Sequence, residues 1–209
     1  MKRAVELHYA WRGWILALPF AVLACARYYS GNDVRPAWLA LALLGAGYRL
    51  HAGRYMPAHS NDLRMSGAAL AVGGPYRIGR HPLYLANLIT AAGLILFSNC
   101  LSAWGAAALF VAVFFHHDLL ARAEERFLAA TRGEKYAGYL RSVPRWLGRA
   151  RRENAPGGAA MTEAGAAAEG VPGAAPTAGL GEAWARQAAN LAKTGAAVLL
   201  LWGLAGLRS

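Results

Sequence analysis

The sequence predicts an all-α protein: an integral membrane helical bundle of about five transmembrane helices with a cytoplasmic helical cap. Three observations carry this expectation. Of the 209 residues, 56% are hydrophobic and only 16% are charged, whereas soluble domains run at roughly 45–50% and about 25%. The apolar residues gather into five runs near the length of a bilayer crossing. The basic residues are divided very unevenly between the segments that join those runs.

The runs lie at about residues 13–29, 37–50, 82–99, 102–115 and 188–207. A spanning helix takes about 20 apolar residues, with a range of roughly 17–25. The second run is short for a span and would tilt, thin the bilayer locally or be re-entrant. Met1-Lys2-Arg3 ahead of an apolar run ending Val22-Leu23-Ala24-Cys25 imitates a signal with a lipidation cysteine. More runs follow, so it is read as an ordinary first helix. Residues 154–181 are almost all Ala, Gly, Pro, Thr and Glu, without the large side chains that offset ordering entropy. The expected organisation is a core over residues 1–150, a flexible linker over 151–181 and a C-terminal transmembrane helix over 182–209.

Charge sets the orientation. Nearly all Lys and Arg fall at the N-terminus, between the second and third runs (Arg49 to Arg80), or after the fourth (Arg122 to Arg152, and Arg186). The opposite side has Arg27, Arg35 and Arg208, with Lys193 at the edge of the fifth run. By the positive-inside rule the N-terminus is cytoplasmic, and the composition fits a bacterial inner membrane. The formal net charge of +11 is then a collar against anionic headgroups, and nucleic acid is not needed to explain it. Disordered chains, secreted disulfide scaffolds and acidic solubility modules are excluded. Cys25 and Cys100 fall near the outer face, where they either pair or remain free thiols, and they cannot form a four-cysteine metal site.

Two polar motifs flank the third and fourth runs. The first is Gly73-Gly74-Pro75-Tyr76-Arg77-Ile78-Gly79-Arg80-His81-Pro82-Leu83-Tyr84. Pro82 suits the first position of a helix, where its missing N–H costs nothing. Arg80 and His81 are thereby delivered to a helix N-terminus, a natural anion site. The short connection Ser98-Asn99-Cys100-Leu101-Ser102 forces an antiparallel hairpin. At 1.5 Å per residue, descending from Ser102 as far as the chain rose from Pro82 brings Glu124-Glu125 beside His81 and Tyr84.

This set suits an amphoteric, cation-bearing cofactor. Arg80, Arg77 and the helix N-terminus would take a carboxylate. Glu124 or Glu125 would take an amino group or ribose hydroxyls, and Tyr76, Tyr84, Tyr136 and Tyr139 would offer faces to an adenine or a sulfonium. Each residue also has a plainer role: His81 as a helix cap, Tyr84 as an interfacial aromatic, the Glu–Arg run as a solvated helix face. In His116-His117-Asp118 the adjacent histidines point about 100° apart on a helix, so they mark the end of the fourth span, and no metal site is expected.

Arg80-His81-Pro82-Leu83-Tyr84, then Glu124-Glu125-Arg126-Phe127-Leu128, Gly133-Glu134-Lys135-Tyr136, Tyr139 and Val143-Pro144 together resemble the isoprenylcysteine carboxyl methyltransferase family. Phospholipid N-methyltransferases and related bacterial thiol methyltransferases belong to the same broad group. The resemblance covers about residues 70–147. It implies S-adenosylmethionine at the cytoplasmic mouth of the hairpin and a lipophilic substrate or membrane lipid entering from the bilayer. The implied cofactor contacts are Tyr76, Arg77, His81, Pro82, Tyr84, Glu125 and Tyr136. The implied catalytic residues are Arg80, which positions the acceptor, and Glu124 and Glu125, which with His81 are candidate bases for an amine. Ala86-Asn87 departs from the family, which often has glycine there. Two other readings stand beside this one: a sterol-reductase-like enzyme using NADPH, and a non-catalytic membrane scaffold.

Overall fold

The computed structural model describes residues 18–56, 71–148 and 178–207. Among these the regular structure is entirely helical. Helix α1 covers residues 18–30. A 3-10 turn, Pro36–Trp38, leads into α2, Leu39–Gly53, and a second 3-10 turn, Gly74–Arg77, precedes α3, Pro82–Ser98. Then come α4, Ala103–Arg132, α5, Glu134–Ser142, and α6, Leu180–Gly206.

The helix limits follow from local chemistry. Pro82 opens α3, and Asn99 closes it in the left-handed region at φ 48°, a conformation that Asn tolerates better than most residues. Neither Gly nor Pro interrupts the chain from Ala106 to Arg132, so α4 continues well past the apolar run that ends near residue 115. Gly133 at φ 56° then separates it from α5.

The five expected crossings are not reproduced as five long helices. Among the described residues, two are long and apolar enough to cross a bilayer: α4, and the Gln187–Gly206 part of α6. Helix α3 is apolar but has only 17 residues, and α2 has 15. The reason is physical: hydropathy registers composition, whereas Asn99 ends α3 and the turn before Leu39 delays the start of α2. Part of the first run and most of the expected linker lie outside the described residues.

The chain divides into two compact units. One holds α1, α2 as far as Tyr48, α3 from Ala86, α4 as far as Leu119, and α6 from Ala188. Its core is Leu23, Ile95, Phe97 and Leu201, packed by Phe20, Leu109, Phe110 and Val198. Polar groups, one of them buried, close the α3–α4 turn. Arg27, 2% exposed, donates to the carbonyls of Ser98 at 2.9 Å and of Asn32. Asn32 donates to Asn99 O and Asn99 donates to Asp33 O, both at 3.0 Å. Carbonyls left open at a helix end are satisfied in this way. Cys25 is exposed, and both cysteines are free thiols. His117 uses both ring nitrogens: Nδ1 lies 2.8 Å from Val113 O and Nε2 lies 3.3 Å from the Asn87 amide nitrogen. Donation by Nδ1–H to the carbonyl leaves Nε2 to accept from Asn87.

The second unit holds Arg49–Leu85 and Leu120–Gln187. Its core is Val72, Tyr136, Tyr139 and Val143, with Leu128 and Leu140 packed against it. The first turns of α6 are bonded into this unit. Ala178 N–H donates to Arg54 O at 3.1 Å, and Arg49 Nε donates to Oε1 of the buried Gln187 at 3.0 Å.

Helices α2 and α3 touch backbone to backbone at Gly93, where a Cβ would overlap the Ala42 nitrogen and come within 2.7 Å of its Cα. Neither atom moves without shifting a helix. Gly93→Ala is therefore expected to cost about 1–3 kcal/mol as overpacking. Gly47→Ala, which meets nothing within 4 Å, should cost nothing. Thermal unfolding of both variants in detergent checks the pair, and equal melting temperatures would refute the contact.

Candidate functional site

The site grows from the segment that leads into α3. The 3-10 turn at Gly74–Arg77 is stabilised by Tyr76 N–H to Gly73 O and Ile78 N–H to Pro75 O. The next residues run beside the segment after α5: Arg80 N–H donates to Pro144 O at 3.0 Å and Gly148 N–H to Ile78 O at 3.2 Å. The two backbones come this close because position 79 is glycine. A Cβ there would overlap the Trp146 carbonyl oxygen. Arg80 and His81 are thus fixed at the N-terminus of α3 before any side chain contributes.

Glu125, 7% exposed, is the centre of the cluster. Arg80 donates from Nε to its Oε1 at 3.0 Å, with Nη2 at 2.8 Å. Arg145 donates from Nε to Oε1 at 3.0 Å and from Nη2 to Oε2 at 2.6 Å. His81 Nε2 lies 3.2 Å from Oε1. The remaining reach of Arg80 goes from Nη1 to the carbonyls of Leu140 and Val143, each at 2.8 Å. Burial works to raise the Glu125 carboxyl, but hydrogen bonds from His81 and Arg145 and the charge of Arg80 outweigh it. The group is held well below the ordinary carboxylate range.

The other ring nitrogen of His81 faces Glu124, with Nδ1 3.6 Å from Oε2. The imidazole therefore sits between two carboxylates, one buried and one whose side chain keeps 33% of its exposure. Tyr84 stacks on His81 with ring centroids 5.5 Å apart and an interplanar angle of 15°. Trp146 approaches the same ring at 6.4 Å. Both aromatic side chains are half-buried.

Residues named from sequence separate into four groups. Arg80, His81, Glu124, Glu125 and Tyr84 are brought together. Pro82 is fully buried as the first residue of α3. Tyr76 and Tyr136 belong to the supporting layer: Tyr76 is buried and its carbonyl accepts from Tyr139 Oη at 2.7 Å. Tyr136 is 1% exposed in the unit's apolar core. Burial, reinforced by the carboxylates, raises the Tyr136 hydroxyl. Burial likewise raises that of Tyr139, so both stay neutral donors. Arg77 is exposed on the surface. The residue that sequence reasoning missed is Arg145. Its signal was its position directly after Val143-Pro144 and before Trp146.

This geometry fixes a pH response. A carboxyl depressed on folding contributes stability that is fully present above its unfolded value, near 4.5, and is lost as pH falls towards the folded value. The melting temperature in detergent should therefore drop as pH is lowered below about 4.5. Glu125→Gln strands two arginines beside a neutral amide. It should cost about 3–5 kcal/mol at neutral pH, as in removing one partner of a buried pair, and should flatten that acid slope. An unchanged slope in the variant would show that other carboxylates carry it.

The chain is similar in sequence to known proteins. Residues 53–135 match the phospholipid methyltransferase family. The chain is also 30% identical over 143 residues to the cobalt-zinc-cadmium resistance protein CzcN of Cupriavidus metallidurans. That match covers 66% of this chain and 62% of the relative, so the chain spans about three-fifths of the curated protein it resembles. No solved structure is a significant match. The segment that matches this family contains Arg80, His81, Pro82, Tyr84, Glu124 and Glu125, whereas Arg145 and Trp146 lie beyond it.

Proposed function

We propose that this chain is an integral membrane methyltransferase that uses S-adenosylmethionine. Its acceptor is lipophilic or small: a phospholipid amine, an isoprenylcysteine-type carboxylate or a thiol. The observation that carries the reading is the His81 ring held between Glu124 and Glu125 at the start of α3, inside the segment that matches the family.

The side chains around His81 fit such a cofactor. Glu124 keeps a partly exposed carboxylate, suited to an amino group or ribose hydroxyls. Tyr84 and Trp146 are half-buried aromatics that both approach the imidazole, suited to a base or a sulfonium. Arg80 and Arg145 saturate Glu125, so its work is positioning: it fixes His81 through Nε2, and His81 in turn fixes Tyr84. When bound, the cofactor supplies an already electrophilic methyl group, so the protein's task is alignment and exclusion of water. For an amine acceptor, Glu124 is the carboxylate placed to take the proton. Arg80 orients the start of α3 and, through Glu125, the imidazole.

The basic distribution supports a cytoplasmic site in a bacterial inner membrane. In this reading α4 and α6 span the bilayer, the shorter α2 and α3 with the first run complete the bundle, and the last span follows a linker. The metal-resistance name of the relative gives no acceptor. Among the described residues no three His, Cys, Asp or Glu side chains gather as a metal site.

Calorimetric titration of the detergent-purified full chain with S-adenosylhomocysteine tests the reading. One molecule per chain is expected, weakened about tenfold by Glu124→Gln on the scale of a charged hydrogen bond. A folded protein that ignores this ligand and binds NADPH instead would replace the reading with the reductase one.

A further inference from the structure

The end of α2, from Arg49 to Tyr55, meets two other segments of the second unit: the start of α6 and the approach to α3. We propose that Gln187 on α6 is a positioning residue for the cofactor site, acting through Arg49. The consequence for binding rests on the methyl-transfer reading, whereas the bonds themselves do not. Neither residue lies in the segment 53–135 that matches the family.

The start of α6 is bonded to the end of α2. Ala178 N–H donates to Arg54 O at 3.1 Å, and Arg54 Nε returns to Ala178 O at 3.4 Å. Ala183 and Gln187, one helical turn apart, are 0% and 1% exposed. Leu180 and Trp184 are exposed. A helix serving only as an apolar anchor has no use for this arrangement, with the amide inside and the indole outside. Burying an amide is costly unless it is bonded, and Gln187 Oε1 accepts from Arg49 Nε at 3.0 Å. Space around it is tight, since a Cβ on Gly53 would stand 3.1 Å from Gln187 Nε2 and 3.2 Å from its Cγ.

The same stretch of α2 reaches the segment that bears the site. Arg49 Nη1 lies 3.4 Å from Leu83 O, between His81 and Tyr84. The Tyr55 ring covers Gly74, where a Cβ would overlap it, and Gly74 opens the 3-10 turn that leads to Arg80 and His81. Nε and Nη1 belong to one rigid plane, so fixing Gln187 Oε1 fixes the edge of the guanidinium that faces Leu83 O. A separation of 3.4 Å is long for a hydrogen bond. Arg49 therefore adjusts the first turn of α3, while the bonds around Glu125 hold it, and loss of the adjustment loosens the site without unfolding the unit.

The test uses the full chain in detergent as wild type, Gln187→Leu, Arg49→Lys and the double variant. Without ligand, the bonded amides of Ile78, Arg80 and Leu85 should exchange about tenfold faster in Gln187→Leu, the scale of one lost hydrogen bond. Calorimetric titration with S-adenosylhomocysteine should show binding about tenfold weaker in either single variant. The double variant should lose no more, because both changes break the same connection. Gln187→Glu keeps an oxygen for Arg49 and should restore binding to within about twofold. Trp184→Leu, on the exposed face of the same helix, should leave it unchanged. If Gln187→Leu does not fold, Arg49→Lys, which keeps the charge and loses the plane, decides by the same readings. A wild type that ignores the ligand overturns the methyl-transfer reading and with it the role given to Gln187. A wild type that binds, with the single variants binding as tightly or their losses simply adding, overturns the positioning role alone.

Discussion

The buried carboxylate of Glu125 joins three segments that are far apart in sequence: the entry to α3 through Arg80 and His81, the C-terminal third of α4 from which it projects, and the stretch after α5 through Arg145. Taking charges out of water costs several kcal/mol each, and attraction offsets this only when the geometry is good and the spare donors are used. Here they are used: the Nη1 of Arg80 goes to the carbonyls of Leu140 and Val143, at the end of α5 where helical partners run out. Satisfying that helix end and neutralising the carboxylate are therefore the same event. The imidazole inherits its position from it.

Much of this meeting was legible, because the rise of a helix is fixed. Counting up from Pro82 and down from Ser102 predicts that Glu124-Glu125 returns to His81, and the rings and carboxylates are in contact. Counting does not say which glutamate is buried. Adjacent residues point about 100° apart, and the choice falls to packing around α4. Arg145 was illegible for a different reason. It reaches Glu125 through a non-helical stretch whose path is set by a backbone contact between Gly79 and Trp146, and no periodicity reports such a contact. Tyr136 and Tyr139 were visible as aromatics, but a core ring and a binding face read alike in sequence.

The apolar runs teach a related lesson. Composition located them well, yet two of the described helices reach spanning length. The lengths are set by punctuation: Asn99 in the left-handed region ends α3, and the absence of any break lets α4 run to Arg132. Polar residues in the first unit show how such a chain tolerates them. Arg27 is buried because it caps open carbonyls. His117 and Asn87 are tolerated because each bonds the other and the ring's second nitrogen meets Val113 O.

The last helix bears on the site through bonds and not only through hydrophobicity. Gln187 accepts from Arg49 Nε, and Nη1 of the same arginine lies 3.4 Å from Leu83 O, between His81 and Tyr84 in the first turn of α3. A guanidinium that touches both is a rigid connector, since its donors share one plane. Moving the first turns of α6 would shift Arg49, and with it the carbonyl that helps define where His81 and Tyr84 begin. The packing of Gln187 against Gly53, with a hypothetical Cβ only 3.1 Å from its amide nitrogen, leaves little slack in that connection. A segment that hydropathy reads only as an anchor thus takes part in setting the geometry of the entry to α3.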